Sequence, residues 1–182
     1  MPKSKSAYST PTKKGKIDTH IFGVWVDNEA GVLARVVGLF SGRGYNIESL
    51  AVAEVDRKNN LSRVTIVTTG TPEVIEQIAL QLKKLVPVHK VANFKREDKR
   101  VIFKEMALLK ILGNQAKIKK VLNACKKFNP VILDKTNKSV VIQITALRRE
   151  IDKMSKNLKP LGLISVSRTG AVAMTRGAEI LN

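Results

Sequence analysis

Residues 24–56, VWVDNEAGVLARVVGLFSGRGYNIESLAVAEVD, run without a break through the end of a strand, a turn, an amphipathic helix and a second strand. The first strand is HIFGVWV over 20–26, with His20, Phe22, Val24 and Val26 on one face and Ile21, Gly23 and Trp25 on the other. It ends at Asp27-Asn28-Glu29-Ala30-Gly31, where small and acidic residues precede an apolar periodic run and so mark a helix start. Val32, Leu33, Val36, Val37, Leu39 and Phe40 recur at helical spacing, which predicts one wide buried stripe with Arg35 and Arg43 reaching water. Gly42 and Gly44 punctuate the end of this helix, because glycine accepts the left-handed conformation that closes one. A strand is expected over 46–56, with Ile47, Ala51, Ala53 and Val55 on one side and Leu50 and Val52 on the other. Both faces are apolar, so helices should cover one and a second sheet or subunit the other.

The first turn has chemical content beyond its place in the fold. A helix starting after Asn28 and Gly31 presents free backbone N–H groups and the positive end of its dipole, which together suit a small carboxylate. Gly31 lets a ligand approach the backbone, and the Asn28 amide can both donate and accept. The same two residues also admit a plain structural role, Asn28 capping its own helix and Gly31 easing the turn.

Working outward, Arg57-Lys58-Asn59-Asn60 forms a polar hairpin connection to LSRVTIVTT over 61–69, a third strand that opposes Val64, Ile66 and Thr68 to Arg63, Thr65 and Val67. Thr71 caps a second helix and Pro72 occupies its first turn, where a missing N–H costs nothing. Ile75, Ile78, Leu82 and Leu85 form its apolar stripe, Pro87 closes it, and VHKVANF over 88–94 is a fourth strand. The order is strand, helix, strand, strand, helix, strand, the ferredoxin-like plan.

The second half repeats that plan. IFKEMALLKILG over 102–113 reads as a strand with Met106, Leu108 and Lys110 opposite Ala107, Leu109 and Ile111. A helix follows over 114–128, with Ile118, Val121, Leu122 and Cys125 on its stripe. VILD and SVVIQITA flank a polar turn at 135–138. Ile151, Met154 and Leu158 mark another helix ending before Pro160 and Gly162, and LISVSRTGAVAMTRG supplies the last strand. The class is α+β, with a first domain over 17–96, a second over 97–182, and a charged linker near 95–100.

Composition narrows the function. Hydrophobic residues make up 43% of the 182 positions and aromatics only 4%, so the core is built from Ile, Leu and Val, and a base-stacking platform is disfavoured. The net charge of +18 is uneven. Residues 1–16 hold five lysines and no acid, ten basic and ten acidic residues cancel over 17–98, and eighteen basic residues face five acids from Lys99 onward. That excess keeps nucleic acid open as a partner, although no zinc-finger spacing or aromatic RNA-binding signature accompanies it. A solvated lysine face or an acidic protein partner accounts for the charge equally well.

The stretch 1–16, rich in Ser, Thr, Lys and Pro, is expected to be a disordered tail. It lacks the arginines and the amphipathic face of an organelle-targeting sequence, which favours the cytoplasm over a plastid. No apolar run approaches membrane-spanning length. The single cysteine, Cys125, leaves no intrachain disulfide and no cysteine-based zinc site, and its helical position suits a buried structural thiol.

His20 and His89 lie in different strands with no partner at metal spacing. Gly42-Arg43-Gly44 ends a helix where a dinucleotide fingerprint would begin one. Nothing assembles into a catalytic centre, so a binding or regulatory module is expected.

The phrases GVLARVVGLFSGRGYNIESL and VSRTGAVAMTRG resemble the small, regulatory subunit of acetolactate synthase (acetohydroxyacid synthase), whose N-terminal part is an ACT domain. The resemblance runs from about Asp18 to the C-terminus. It implies a subunit of branched-chain amino-acid biosynthesis that activates the large catalytic subunit and confers feedback inhibition by valine. It also implies ACT domains paired side by side in a homodimer, with the effector between two copies. The matching ligand positions are Asn28, Gly31, Val32 and Leu33 in the turn, with Asn46 and Ile47 contributed across the interface. Thiamine diphosphate, FAD and magnesium are expected on the catalytic subunit and no cofactor in this chain. The lysine-rich second half and the basic tail lie outside the family signature. The alternative is a free-standing ACT-type amino-acid sensor acting on another partner or on nucleic acid.

Overall fold

The computed structural model describes residues 16–178, so the expected disordered segment falls almost wholly outside the described residues. Two four-stranded antiparallel sheets, each with two helices on one face, follow one another along the chain. The first contains β1 (Asp18–Asp27), β2 (Ser49–Asp56), β3 (Leu61–Gly70) and β4 (Val88–Lys95), in the spatial order β2-β3-β1-β4. Its helices are α1 (Val32–Ser41) and α2 (Pro72–Lys83). The second contains β5 (Val101–Leu112), β6 (Val131–Lys135), β7 (Ser139–Ala146) and β8 (Leu163–Thr175), in the order β6-β7-β5-β8. It carries α3 (Gln115–Cys125) and α4 (Arg148–Leu158). The same βαββαβ plan therefore occurs twice.

Alternation and helical stripes meet as their periods dictate. Phe22, Val24 and Val26 from β1 and Val64 and Ile66 from β3 are buried against Val36, Leu39 and Phe40 of α1 and Ile75, Ile78 and Leu82 of α2. Thr71 caps α2, its Oγ1 accepting from the Val74 N–H at 3.5 Å. In the second unit Ala107, Leu109 and Ile111 of β5 lie under Ile118, Val121 and Cys125 of α3 and Ile151, Met154 and Leu158 of α4. Asn114 caps α3 by accepting from the Lys117 N–H at 3.0 Å. Cys125 is fully buried with its Sγ 3.3 Å from the Met154 sulfur, and burial pushes its thiol up to about 11, so it is an inert packing group.

Several boundaries differ from expectation. Leu33 is 40% exposed and does not join the buried stripe, because α1 turns only Val32, Val36, Leu39 and Phe40 fully inward. Gly42 is right-handed, at φ −65°, and the left-handed residue is Gly44, at φ +67°. Asn28 does not cap α1: Gly31 holds the N-cap position, and its φ of +85° explains the glycine. The second strand begins at Ser49, leaving Asn46 and Ile47 in the preceding loop. Helix α3 stops at Cys125, and the last expected turn is a 3-10 segment at Lys126–Phe128.

The face of the first sheet away from its helices is covered by the second unit. Strands β5 and β8 project beyond α3 and α4, and their extensions bring Val101, Ala171 and Ala173 onto Ile21, Val67 and Phe94. Arg63 on β3 crosses this junction, donating from Nη2 to the Ala173 carbonyl at 2.8 Å while its guanidinium lies 4.7 Å from the centre of the Trp25 ring. Gly170, at φ +81°, sits where the irregular stretch of β8 meets the start of β2; an added Cβ would come within 2.9 Å of Ser49 Oγ and 3.1 Å of the Leu50 carbonyl oxygen.

An ion pair to a buried carboxylate holds the same part of β8. Arg168 donates from Nε and Nη2 to the two oxygens of the buried Glu105 at 2.8 and 2.6 Å, and from Nη1 to Asp152 on α4 at 2.5 Å. The hydrogen bonds to Glu105, with those to Asp152, raise the Arg168 pKa above its ordinary value against the opposing cost of desolvation. An ammonium cannot reproduce this planar fork, so Arg168→Lys is expected to lower unfolding stability by roughly 1–2 kcal/mol in urea denaturation. An unchanged urea midpoint would show that the fork adds nothing over a point charge.

Candidate functional site

The turn after β1 is anchored on both sides. Asp27 N–H donates to the Pro87 carbonyl at 3.0 Å and Asn28 N–H to the Asn60 carbonyl at 2.7 Å. The Asn28 side chain bridges to the neighbouring strands: its Oδ1 accepts from Ser62 Oγ at 3.0 Å and its Nδ2 donates to Glu54 at 3.4 Å. Ser62 and Glu54 are partners that periodicity alone did not identify; the signal was their position on the hairpin opposite the turn. His89 lies alongside, its Nε2 2.6 Å from an Asp27 carboxylate oxygen, and His20 Nδ1 is 2.8 Å from Asn93 Oδ1. Each histidine is thus partnered across the β1–β4 pair, and no group of three or more metal-ligating side chains occurs among the described residues.

The start of α1 is open. Nothing lies within 4 Å of where a Gly31 Cβ would stand. The Gly31 carbonyl accepts from Arg35 N–H at 3.0 Å, and Val32 N–H makes only a 3.4 Å contact with the Glu29 carbonyl. The N–H groups of Leu33 and Ala34 meet no acceptor among the described residues, leaving donors at the positive end of the helix. Val32 buries its side chain in the core, so only its backbone can serve a ligand, whereas the exposed Leu33 side chain offers apolar surface.

Asn46 and Ile47 lie elsewhere in the chain. The Asn46 carbonyl accepts from Thr68 Oγ1 at 2.7 Å, its side chain is exposed, and Ile47 packs partly against the first core. Asn28, by contrast, is tied to the opposite end of β3 through Ser62. The stretch of β3 between Ser62 and Thr68 spans roughly 20 Å at the usual rise of a strand. The six residues therefore form two clusters, Asn28-Gly31-Val32-Leu33 and Asn46-Ile47, at opposite ends of the first sheet. One chain does not bring them together.

Comparison with known proteins identifies the family. Residues 22–90 match the model of the AHAS small subunit-like ACT domain, and residues 104–177 match the model of the small subunit of acetolactate synthase. The acetolactate synthase small subunit of Mycobacterium bovis is 35% identical over 159 residues, spanning 87% of this chain and 93% of that protein. The chain belongs to the acetolactate synthase small-subunit family. The Aquifex aeolicus small subunit is similar too, at 37% identity over 169 residues, covering 92% of this chain and 86% of its own length. The crystal structure of the acetolactate synthase small subunit from Thermotoga maritima superposes with a TM-score of 0.77 at 32% identity, covering 88% of this chain and 99% of that one. The α+β fold with two ferredoxin-like units, the first an ACT domain, is the fold of this family. No helix among the described residues is long and apolar enough to cross a membrane.

Proposed function

We propose that this chain is the regulatory subunit of a cytoplasmic acetolactate synthase: it activates the large catalytic subunit and makes it sensitive to L-valine. Thiamine diphosphate, FAD and magnesium would be held by the catalytic chain, leaving this one a purely regulatory part. The observation that carries the reading is the position of the two half-sites at the two ends of an edge strand.

Strand β2 is the edge of the first sheet, and Val52 and Val55 on it are 44% and 51% exposed. Antiparallel pairing of β2 with its twofold copy sets the start of one strand beside the end of the other. Asn28 is hydrogen-bonded to Glu54 near the end of β2, and Asn46 and Ile47 lie just ahead of its start. A side-by-side dimer therefore carries the turn of one copy to the loop of the other, and closes two sites that a single chain leaves open. In each, the N–H groups of the α1 terminus take the valine carboxylate, the side-chain oxygens of Asn28 and Asn46 hold its ammonium, and Leu33 and Ile47 receive the isopropyl group.

Inhibition follows from linkage. Valine lowers activity only if it binds the inhibiting arrangement of subunits more tightly than the activating one, and a site shared by two chains is sensitive to their relative placement. In a reconstituted assay, the chain is expected to raise the activity of the catalytic subunit, and L-valine to reverse that rise. A lysine at the edge opposes strand pairing, so Val52→Lys is expected to convert the dimer to monomer by sedimentation and to abolish saturable valine binding with it. A variant that stayed dimeric and bound valine normally would contradict pairing through β2.

A further inference from the structure

A cavity of about 360 Å³ lies between the two units, at the end of the first sheet away from the Asn28 turn, with Glu48, just ahead of β2, in its lining. Its inner wall is apolar, formed by Ile21 and Val67 from the first sheet and Phe103 and Ala171 from the second. Its rim is mostly cationic, with Arg148 and Arg149 at the start of α4, Lys104 on β5 and Arg96 after β4, against Glu48 and Glu97.

Arg148 is the informative residue. Its Nη1 is buried and makes no hydrogen bond, which native structures rarely tolerate for a charged donor. It forms an ion pair with Glu48 Oε2 at 3.7 Å, longer than a hydrogen bond, while Thr69 donates to the other Glu48 oxygen, Oε1. The backbone N–H groups of Arg148 and Arg149 at the positive end of α4 also meet no acceptor among the described residues. A cation with an open donor, beside an apolar wall in a cavity of ligand size, describes a site for a small organic carboxylate with a compact hydrocarbon body.

We propose that this inter-unit cavity binds such a carboxylate, with Arg148 and the α4 terminus holding the anion and Ile21, Val67 and Phe103 covering the hydrocarbon. Because its walls come from both units, occupancy stabilises one placement of the second unit against the ACT domain. None of the six residues assigned to valine lines this cavity, and Glu48 on its rim directly follows Ile47.

The test uses the full-length chain with methyl-labelled isoleucine and valine, followed by NMR during titration with sodium isovalerate and, separately, with inorganic phosphate at constant ionic strength. The expected result is a saturable shift of the Ile21 and Val67 methyls with isovalerate, weakened roughly tenfold in Arg148→Gln by loss of a charge-assisted hydrogen bond and retained in Asn28→Ala. Lys104→Gln, on β5 of the same unit and exposed, is expected to weaken it as well and keeps the test available if Arg148→Gln does not fold. The proposal is overturned if isovalerate leaves both methyls unmoved, if only phosphate shifts them, or if neither charge variant changes the affinity.

Discussion

Asn28→Ala and Asn46→Ala are each expected to raise the valine concentration needed for half-inhibition by roughly ten- to a hundredfold, while activation of the catalytic subunit stays largely intact. Each removes a hydrogen bond to a charged ammonium, worth about 1.5–3 kcal/mol. The two variants differ in their side effects. The Asn28 side chain accepts from the buried Ser62 hydroxyl, so its loss strands that donor and costs a further ~1 kcal/mol of fold stability. At Asn46 the backbone carbonyl, and not the amide side chain, makes the hydrogen bond to Thr68. Asn46→Ala is therefore the cleaner probe, since loss of valine sensitivity there cannot come from a loosened turn. Either variant remaining fully valine-sensitive in the reconstituted enzyme would refute the assignment of that residue.

Gly162→Ala is expected to damage the second unit severely, although it adds a single methyl group. Gly162 sits between the 3-10 turn at Lys159–Leu161 and β8, at φ +98°. Its N–H donates to the Lys159 carbonyl at 3.2 Å and its carbonyl accepts from Leu112 N–H at 2.9 Å, so its place is fixed from both sides. A Cβ there would stand 2.0 Å from the Leu112 carbonyl oxygen, a backbone atom of the central strand that cannot swing aside. Left-handed strain and this clash act together, and the loss should be on the order of 3–5 kcal/mol. Urea denaturation followed by far-ultraviolet circular dichroism checks it. An unchanged midpoint would mean that β8 can shift away from β5 at little cost. Gly31 provides the contrast: its φ is also positive but a Cβ would meet open space, so Gly31→Ala carries only the conformational penalty.

The strands and helices were legible because their periods match their burial. Phe22, Val24 and Val26 fall on one side of β1, and Ile118, Val121 and Cys125 on one stripe of α3, as alternation and helical spacing require. What escaped the sequence depended on contacts between distant segments. Glu105 and Arg168 are 63 residues apart, and nothing local marks either as half of an ion pair. Leu33 looks like core by spacing, yet it borders the stripe and faces out, where an effector or a second copy could use it. Asn28 has the chemistry of a helix cap but reaches sideways to Ser62 and Glu54 because Gly31 turns the chain before α1 begins. The six effector residues were named by resemblance. That they form two groups at opposite ends of one sheet became visible only with the strand register.

That separation makes the central claim, an effector site built from two chains, directly measurable. In a purified heterodimer of one Asn28→Ala chain and one Asn46→Ala chain, a site shared across the twofold loses both asparagines on one side and regains both on the other. Calorimetric titration with L-valine should then show near-native affinity at about one valine per heterodimer, where either variant homodimer binds weakly. A heterodimer that binds valine no better than the two homodimers would contradict a site shared between chains.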